Sequence, residues 1–270
     1  MLSVCARLPQ ALHLQQTSGS QPIRAEAGGD AELSDGFAVI VPGFGKSERV
    51  ELLRRNVAWL RGQGMDFDCF IFVYRSEVDF PLDPQQYEPC RLIRHPGYWM
   101  DHMLALPLSM FPRKWIVHMM DSVEPAPNLN LTRLVDVMQA NRLEHASPTM
   151  LEDAHYPVMR AQNGSGSVGR RGDFIELNFD VFSHRYFECM RDSIYPDNKL
   201  GWGVDFVLPQ LCNGSLGVLD HMWFSKRFTG SYNSRKAYFD MKRYISRYRD
   251  LRLPRNLTSL GDRLSIGELK

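Results

Sequence analysis

The sequence lacks both an excess of one charge and a long apolar run. Its 32 Lys and Arg residues balance 31 Asp and Glu residues, so the formal net charge is +1 at pH 7. No global field therefore attracts nucleic acid or an anionic membrane, and we expect neither as a partner. No apolar run approaches the ~20 residues that a membrane-spanning helix needs, so we expect no membrane span.

Cysteine is sparse and has no motif spacing. The five cysteines lie far apart, at Cys5, Cys69, Cys90, Cys189 and Cys212. An odd, sparse set of this kind predicts reduced or buried thiols rather than a disulfide framework. Four Asn-x-Ser/Thr sequons, at Asn130, Asn163, Asn213 and Asn256, instead favour passage through a secretory lumen. The compartment therefore stays open between the cytosol, an organelle and the secretory lumen.

Composition divides the chain into three parts. Residues 1 to 35 have little apolar periodicity and predict a disordered leader. Residues 36 to 250 carry the alternating strand and helix patterns of one domain. Residues 251 to 270 are polar, and we interpret them as a loose tail.

The domain begins with a strand-helix-strand pattern. Residues 37–41 are entirely apolar and stop at the turn Pro42-Gly43. Apolar residues then recur at helical spacing up to Gly62, and a second strand follows at residues 67–74. This unit predicts a parallel sheet, in which ligands bind at the carboxyl ends of the strands.

The segment Gly45-Lys46-Ser47 is similar to the end of a phosphate-binding P-loop, but the pattern is incomplete. It requires a glycine five residues before Gly45, where this chain has Ile40. The P-loop interpretation therefore fails, and a nucleoside triphosphatase remains only as a minor alternative.

A buried strand at residues 115–120 is followed directly by Asp121 and Ser122, with Glu124 close behind. Carboxylates at this place suit Mg²⁺ or Mn²⁺, which prefer oxygen ligands and accept substrate phosphates among them. Asp and Ser before a proline are also ordinary turn residues, so both interpretations stay open.

Residues 161 to 173 are rich in Gly and Ser and contain Arg170 and Arg171. Their composition predicts a flexible loop, either a plain connector or a mobile lid that brings two guanidinium groups over a phosphate. Alternating apolar residues then predict a strand over residues 174–182.

The segment Gly201-Trp202-Gly203-Val204-Asp205-Phe206 is the most distinctive of the chain. Two glycines permit a sharp turn, and the tryptophan offers a flat apolar face on which a sugar can stack. Asp205 lies at the expected start of a helix, where burial can tune it as a general base. The alternative is a glycine-rich turn with a buried tryptophan and a helix-start aspartate.

Taken in order, residues 115–124, 144–148, 174–183, 201–206 and 217–220 resemble an uncharacterised family related to GT-A-fold glycosyltransferases. The resemblance covers roughly residues 36 to 232. It implies an α/β fold: a single GT-A-like, Rossmann-like domain with a central, mostly parallel sheet flanked by helices. It also implies a nucleotide-sugar donor and a carbohydrate or other hydroxyl acceptor.

The resemblance implies roles for particular residues. Asp205 falls on the catalytic base, and Asp121 falls in the acidic metal motif, with His221 as a substitute ligand for Mn²⁺ or Mg²⁺. The flanking acids of that motif are absent, which puts metal dependence in doubt and makes basic side chains, including Arg170 and Arg171, alternative partners of the leaving group. The residues expected to bind the donor are Pro42, Gly43, Tyr74, Arg75, Trp202, Lys226 and Arg227.

Two functions follow from these expectations. The first is an inverting glycosyltransferase with Asp205 as the general base. The alternative is a catalytically silent GT-A-like domain that binds a sugar or a protein, because a fold does not imply an activity. The donor sugar, the acceptor, the linkage and the oligomeric state are not predicted.

Overall fold

The computed structural model describes residues 32–75, 78, 80, 82–152, 154, 156–160, 168–228, 234–248 and 265–269. Ten strands are formed within these ranges: β1 Ser34–Phe44, β2 Phe67–Val73, β3 Arg91–Arg94, β4 Arg113–Met119, β5 Val123–Pro125, β6 His145–Met150, β7 Gly169–Gly172, β8 Phe179–Ser183, β9 Leu216–Lys226 and β10 Ser265–Leu269. The α-helices of the same ranges are α1 Val50–Arg61, α2 Trp99–Leu104, α3 Leu131–Ala140, α4 His184–Ser193, α5 Val204–Leu211 and α6 Ser234–Ile245.

The strands form one sheet with the order β10-β7-β9-β6-β8-β4-β1-β2-β3, and β5 pairs with β9. Strands β3, β2, β1 and β4 are parallel neighbours, and β6 also runs parallel to β9. Antiparallel pairing joins β8 to both β4 and β6, and joins β7 to β9. Helices pack on the sheet, which confirms the predicted α/β class.

The predicted strand-helix-strand unit is formed by β1, α1 and β2. Residues 37–41 are fully buried because they lie in the middle of the sheet, where both faces are covered. The buried face of α1 carries Leu52, Leu53, Val57 and Leu60, at the spacing that places them on one side of a helix.

The predicted leader overlaps the structure only at its end. Residues 1–31 lie outside the described residues, and β1 already begins at Ser34. At the other end, β10 lies within the segment predicted as a polar tail and pairs antiparallel with β7.

The prediction of unpaired thiols is wrong for four cysteines. Cys69 is bonded to Cys90, and Cys189 is bonded to Cys212. The partners are 21 and 23 residues apart in sequence. Tertiary structure brings them together: β2 pairs with β3, which Cys90 directly precedes, and α4 packs on α5. The remaining cysteine, Cys5, lies outside the described residues.

The segment predicted as a flexible loop contains a strand. Residues 161–167 lie outside the described residues, but residues 169–172 form β7. Arg170 is buried and makes two hydrogen bonds of 2.9 and 2.8 Å to the Asp220 carboxylate. Arg171 donates to the carbonyl oxygen of Asn141. Both guanidinium groups are thus engaged within the fold, and the prediction of a lid that carries them is wrong.

The strand predicted over residues 174–182 begins only at Phe179. Phe174 and Ile175 are buried in the core although they lie outside a strand. The Phe174 ring lies 5.0 Å from the Phe206 ring and 4.6 Å from the Tyr156 ring, measured between centroids.

The described helices include none with the length and apolar character that crossing a membrane demands.

Candidate active site

A cleft of about 680 Å³ opens at the edge of the sheet where β1, β2 and β4 end. Pro42 and Gly43 line it from the end of β1, and Tyr74 lines it directly after β2. Asp121 and Ser122 line it from the turn after β4. Parallel strands bring their carboxyl ends to one edge, so residues distant in sequence meet here.

The cleft collects most of the residues that the sequence analysis selected. Those that line it are Pro42, Gly43, Tyr74, Asp121, Trp202, Asp205 and Lys226. Arg75, His221 and Arg227 are not part of the lining. The Arg75 guanidinium lies 5.2 Å from the centre of the Tyr74 ring, and Arg227 pairs with Glu124. His221 is exposed on β9, so the structure does not bring it together with Asp121 in the cleft.

The turn around Trp202 also lines the cleft. Gly201 and Gly203 have φ angles of +73° and +89°, a backbone region that favours glycine. A Cβ atom on Gly201 would lie 2.4 Å from the Trp99 ring, so the close approach of this ring also requires glycine. Gly203 caps α5, and Asp205 lies in the first turn of that helix, as predicted.

Asp205 has the electrostatic environment of a proton acceptor. Burial raises the pKa of its carboxyl group to about 8, and the nearby charge of Glu176 adds to the rise. Backbone N–H groups oppose it, among them that of Phe206, which donates to Asp205 Oδ1 at 3.1 Å. A carboxylate with a pKa near working pH can both take and release a proton.

The carboxylate that follows β4 is paired with an arginine. Asp121 and Arg49 form a buried ion pair, and the Arg49 guanidinium also lies 5.6 Å from the centre of the Phe228 ring. Burial raises the pKa of Asp121 to about 7, against the opposing effect of Arg49. Glu124 is likewise paired, with Arg55 at 3.0 Å and with Arg227.

These carboxylates do not fit the divalent metal site that the resemblance implies. A divalent ion needs several ionised oxygen ligands turned toward it, whereas Asp121 Oδ1 is paired with one guanidinium and Glu124 with two. In the part of the chain that the structure describes, no group of three or more His, Cys, Asp or Glu side chains has the arrangement of a metal site.

A series of hydrogen-bonded, buried side chains extends from the cleft lining into the core. Trp99 lines the cleft and donates its Nε1–H to His118 Nε2 at 2.8 Å. Because His118 Nε2 accepts, its Nδ1 carries the proton and donates to Asp180 at 3.1 Å. His145 Nε2 is hydrogen-bonded to the other Asp180 oxygen at 2.8 Å. Burial lowers the pKa of His118 to about 3, so this ring is neutral and fixes the indole in place.

Several cleft residues were not selected from the sequence. Lys46, Arg49, Trp99 and Glu176 all line the cleft. A signal existed for the first two, because both follow a glycine turn at the end of a predicted strand. Glu176 had none, since it lies within a segment read as a continuous strand.

No protein-family model and no curated protein matches this sequence. Solved structures do match the fold. That of S. aureus TarS residues 1–349 with UDP-GlcNAc has a TM-score of 0.53 and 10% identity, and the match covers 81% of this chain and 68% of that chain. The chain has a GT-A-like fold.

Two further TarS structures give the same result. A second structure of TarS 1–349 has a TM-score of 0.50 at 10% identity, covering 80% of this chain and 72% of that one. The longer S. aureus TarS chain has a TM-score of 0.52 at 10% identity, covering 81% of this chain but 40% of its own length. At such low identity the likeness shows the fold alone.

Proposed function

We propose that the protein is an inverting glycosyltransferase that moves a sugar from a nucleotide-sugar donor to an acceptor hydroxyl. The observation that carries this proposal is the position of Asp205, a carboxyl group with a pKa of about 8 in a cleft at the strand ends of a GT-A-like sheet. Ligands of open α/β sheets bind at this edge. The half-buried Trp202 offers a ring face in the same cleft for a sugar.

In the proposed reaction Asp205 accepts the proton of the acceptor hydroxyl. The acceptor oxygen forms a bond to the anomeric carbon of the donor, while the bond from that carbon to the diphosphate oxygen breaks. The electron pair of the broken bond leaves with the nucleoside diphosphate. Attack from the face opposite the leaving group inverts the anomeric configuration.

The test is a panel of UDP- and GDP-sugars with release of the nucleoside diphosphate as the readout. Asp205→Asn is expected to lower turnover by about 10²–10⁴, the usual contribution of a general base. Its affinity for the nucleoside diphosphate should stay within about twofold, because a base that acts on the acceptor adds little to donor binding. The matched control is Asp136→Asn, which changes an exposed carboxylate on α3. Full activity in Asp205→Asn would contradict the assigned role.

A second candidate is a catalytically silent domain that binds a sugar or a protein. The ion pair between Asp121 and Arg49 favours it, because this pair stands where the acidic motif of the resembled family lies. The same panel separates the two. A protein that binds nucleoside diphosphates but turns over none of the donors would support the silent domain.

A further inference from the structure

The carboxylate that follows β4, Asp121, is in contact with the guanidinium of Arg49. The resemblance assigns this carboxylate to a metal. Arg49 is 7% exposed and Asp121 is 1% exposed, and both line the cleft. Their pairing leaves one donor unused, since Arg49 Nε is buried without a hydrogen-bond partner among the described residues. Unsatisfied buried groups of this kind are unusual and suit a ligand that completes them.

Two lysines extend this positive charge. Lys46 lines the cleft three residues before Arg49, and its ammonium group lies 3.7 Å from the exposed Glu48. Lys226 lines the cleft at the end of β9, where it is paired with Val123. The next backbone N–H, that of residue 227, donates to the Ser122 carbonyl oxygen at 2.8 Å. The end of β9 is thus fixed directly beside the turn that holds Asp121.

The charges in the cleft are separated into two ends. Arg49 and Lys46 are the cations that act on Asp121, and Glu48 opposes them, whereas the charge that acts on Asp205 is that of Glu176. The end around Asp121 therefore carries three lining cations against two carboxylates, Asp121 in the lining and Glu48 outside it. This surplus matches a diphosphate, because its phosphate oxygens accept charge-assisted hydrogen bonds from guanidinium and ammonium groups.

We propose that Lys46, Arg49 and Lys226 bind the diphosphate of the donor and that they do so without a divalent cation. The proposal rests on the proposed function, because a nucleotide sugar supplies the diphosphate. In the transfer step the three cations stabilise the negative charge that collects on the leaving diphosphate oxygen.

The test is calorimetric titration of UDP, GDP and inorganic pyrophosphate, in EDTA and in excess Mn²⁺. Wild-type affinity is expected to agree within about twofold between the two buffers, after correction for Mn²⁺ bound to the free ligand. Lys226→Met should weaken binding about tenfold, the scale of one charge-assisted contact. The matched control is Arg55→Met, which removes an exposed arginine of α1 outside the cleft lining.

Arg49 requires a paired change, because removing it alone leaves Asp121 buried without a counter-charge. The double variant Arg49→Met/Asp121→Asn keeps the pair neutral, and we expect it to bind about tenfold more weakly in both buffers. Thermal melting of each variant shows whether it is folded.

The outcomes separate the two proposals. Binding that Mn²⁺ strengthens tenfold or more and that Asp121→Asn alone abolishes would overturn the cation site and leave the glycosyltransferase proposal standing. Unchanged binding in folded Lys226→Met and in the double variant would also overturn the cation site alone. A wild-type protein that binds none of the three ligands in either buffer would overturn both.

Discussion

The activity of the protein should depend on the ionisation of Asp205 in a way that a second carboxylate controls. The pKa of Asp205 is raised from 3.8 to about 8 by burial and by Glu176. A general base must be ionised, so activity is lost as the pH falls through about 8. At pH 7 only about a tenth of the carboxyl group is ionised, and kcat/KM should rise about tenfold between pH 7 and its plateau.

Glu176→Gln removes the like charge while it keeps the shape of the side chain. We expect the pKa of Asp205 to fall by on the order of one pH unit. Its ionised fraction at pH 7 then rises from about a tenth to about a half, which gives about fivefold higher kcat/KM at that pH. At pH values on the plateau, kcat/KM should be the same in the variant and the wild type, because Asp205 is already ionised in both.

Two measurements check this reasoning. The pH profile of kcat/KM is recorded for wild type, Glu176→Gln and the control Glu188→Gln, which changes an exposed glutamate of α4. The carboxyl ¹³C resonance of Asp205, assigned by its absence in Asp205→Asn, is titrated by NMR in the ligand-free protein. A titration midpoint below pH 5, or an identical midpoint in wild type and Glu176→Gln, would refute the argument.

Two further predictions concern stability. Gly201→Ala should lower the free energy of unfolding by about 1–3 kcal/mol, because its positive φ and the adjacent Trp99 ring both exclude a Cβ atom. Urea unfolding measures this loss, and the control Gly62→Ala, at a φ of −73°, should show no comparable loss. Burial lowers the pKa of His102 from 6.5 to about 4, so between these pH values the unfolded chain binds a proton that the folded chain does not bind. The free energy of unfolding should therefore fall by about 3 kcal/mol as the pH drops from 6.5 to 4. Equal acid sensitivity in His102→Gln would contradict the second prediction.

The parts of the fold that local sequence determines were predictable. The apolar run of β1, the helical spacing of α1 and the glycine turn before α5 each lie within about a dozen residues. Their periodicity and turn chemistry therefore identify them without tertiary information. Asp205 was found because its helix start is such a local signal.

The parts that depend on long-range packing were not predictable. Phe174 and Ile175 have the pattern of a strand, but Phe174 packs instead on the Phe206 ring of a helix that follows some thirty positions later. The disulfide partners likewise meet only through sheet and helix packing. Arg49 lies directly before α1, and nothing near it in sequence shows that its partner is Asp121, 72 residues away.

The two disulfides have a consequence for the unfolded chain. They close loops of 21 and 23 residues, and the entropy that this removes from the unfolded state is worth about 3 kcal/mol for each loop. Together they approach the whole net stability of a typical domain, about 5–15 kcal/mol. Cys212 directly follows the helix that carries Asp205, so reduction of its disulfide also removes the covalent link between that helix and α4. Protein made or assayed under reducing conditions would lose this restraint, and a low activity measured there would report on the covalent state of the chain rather than on its chemistry.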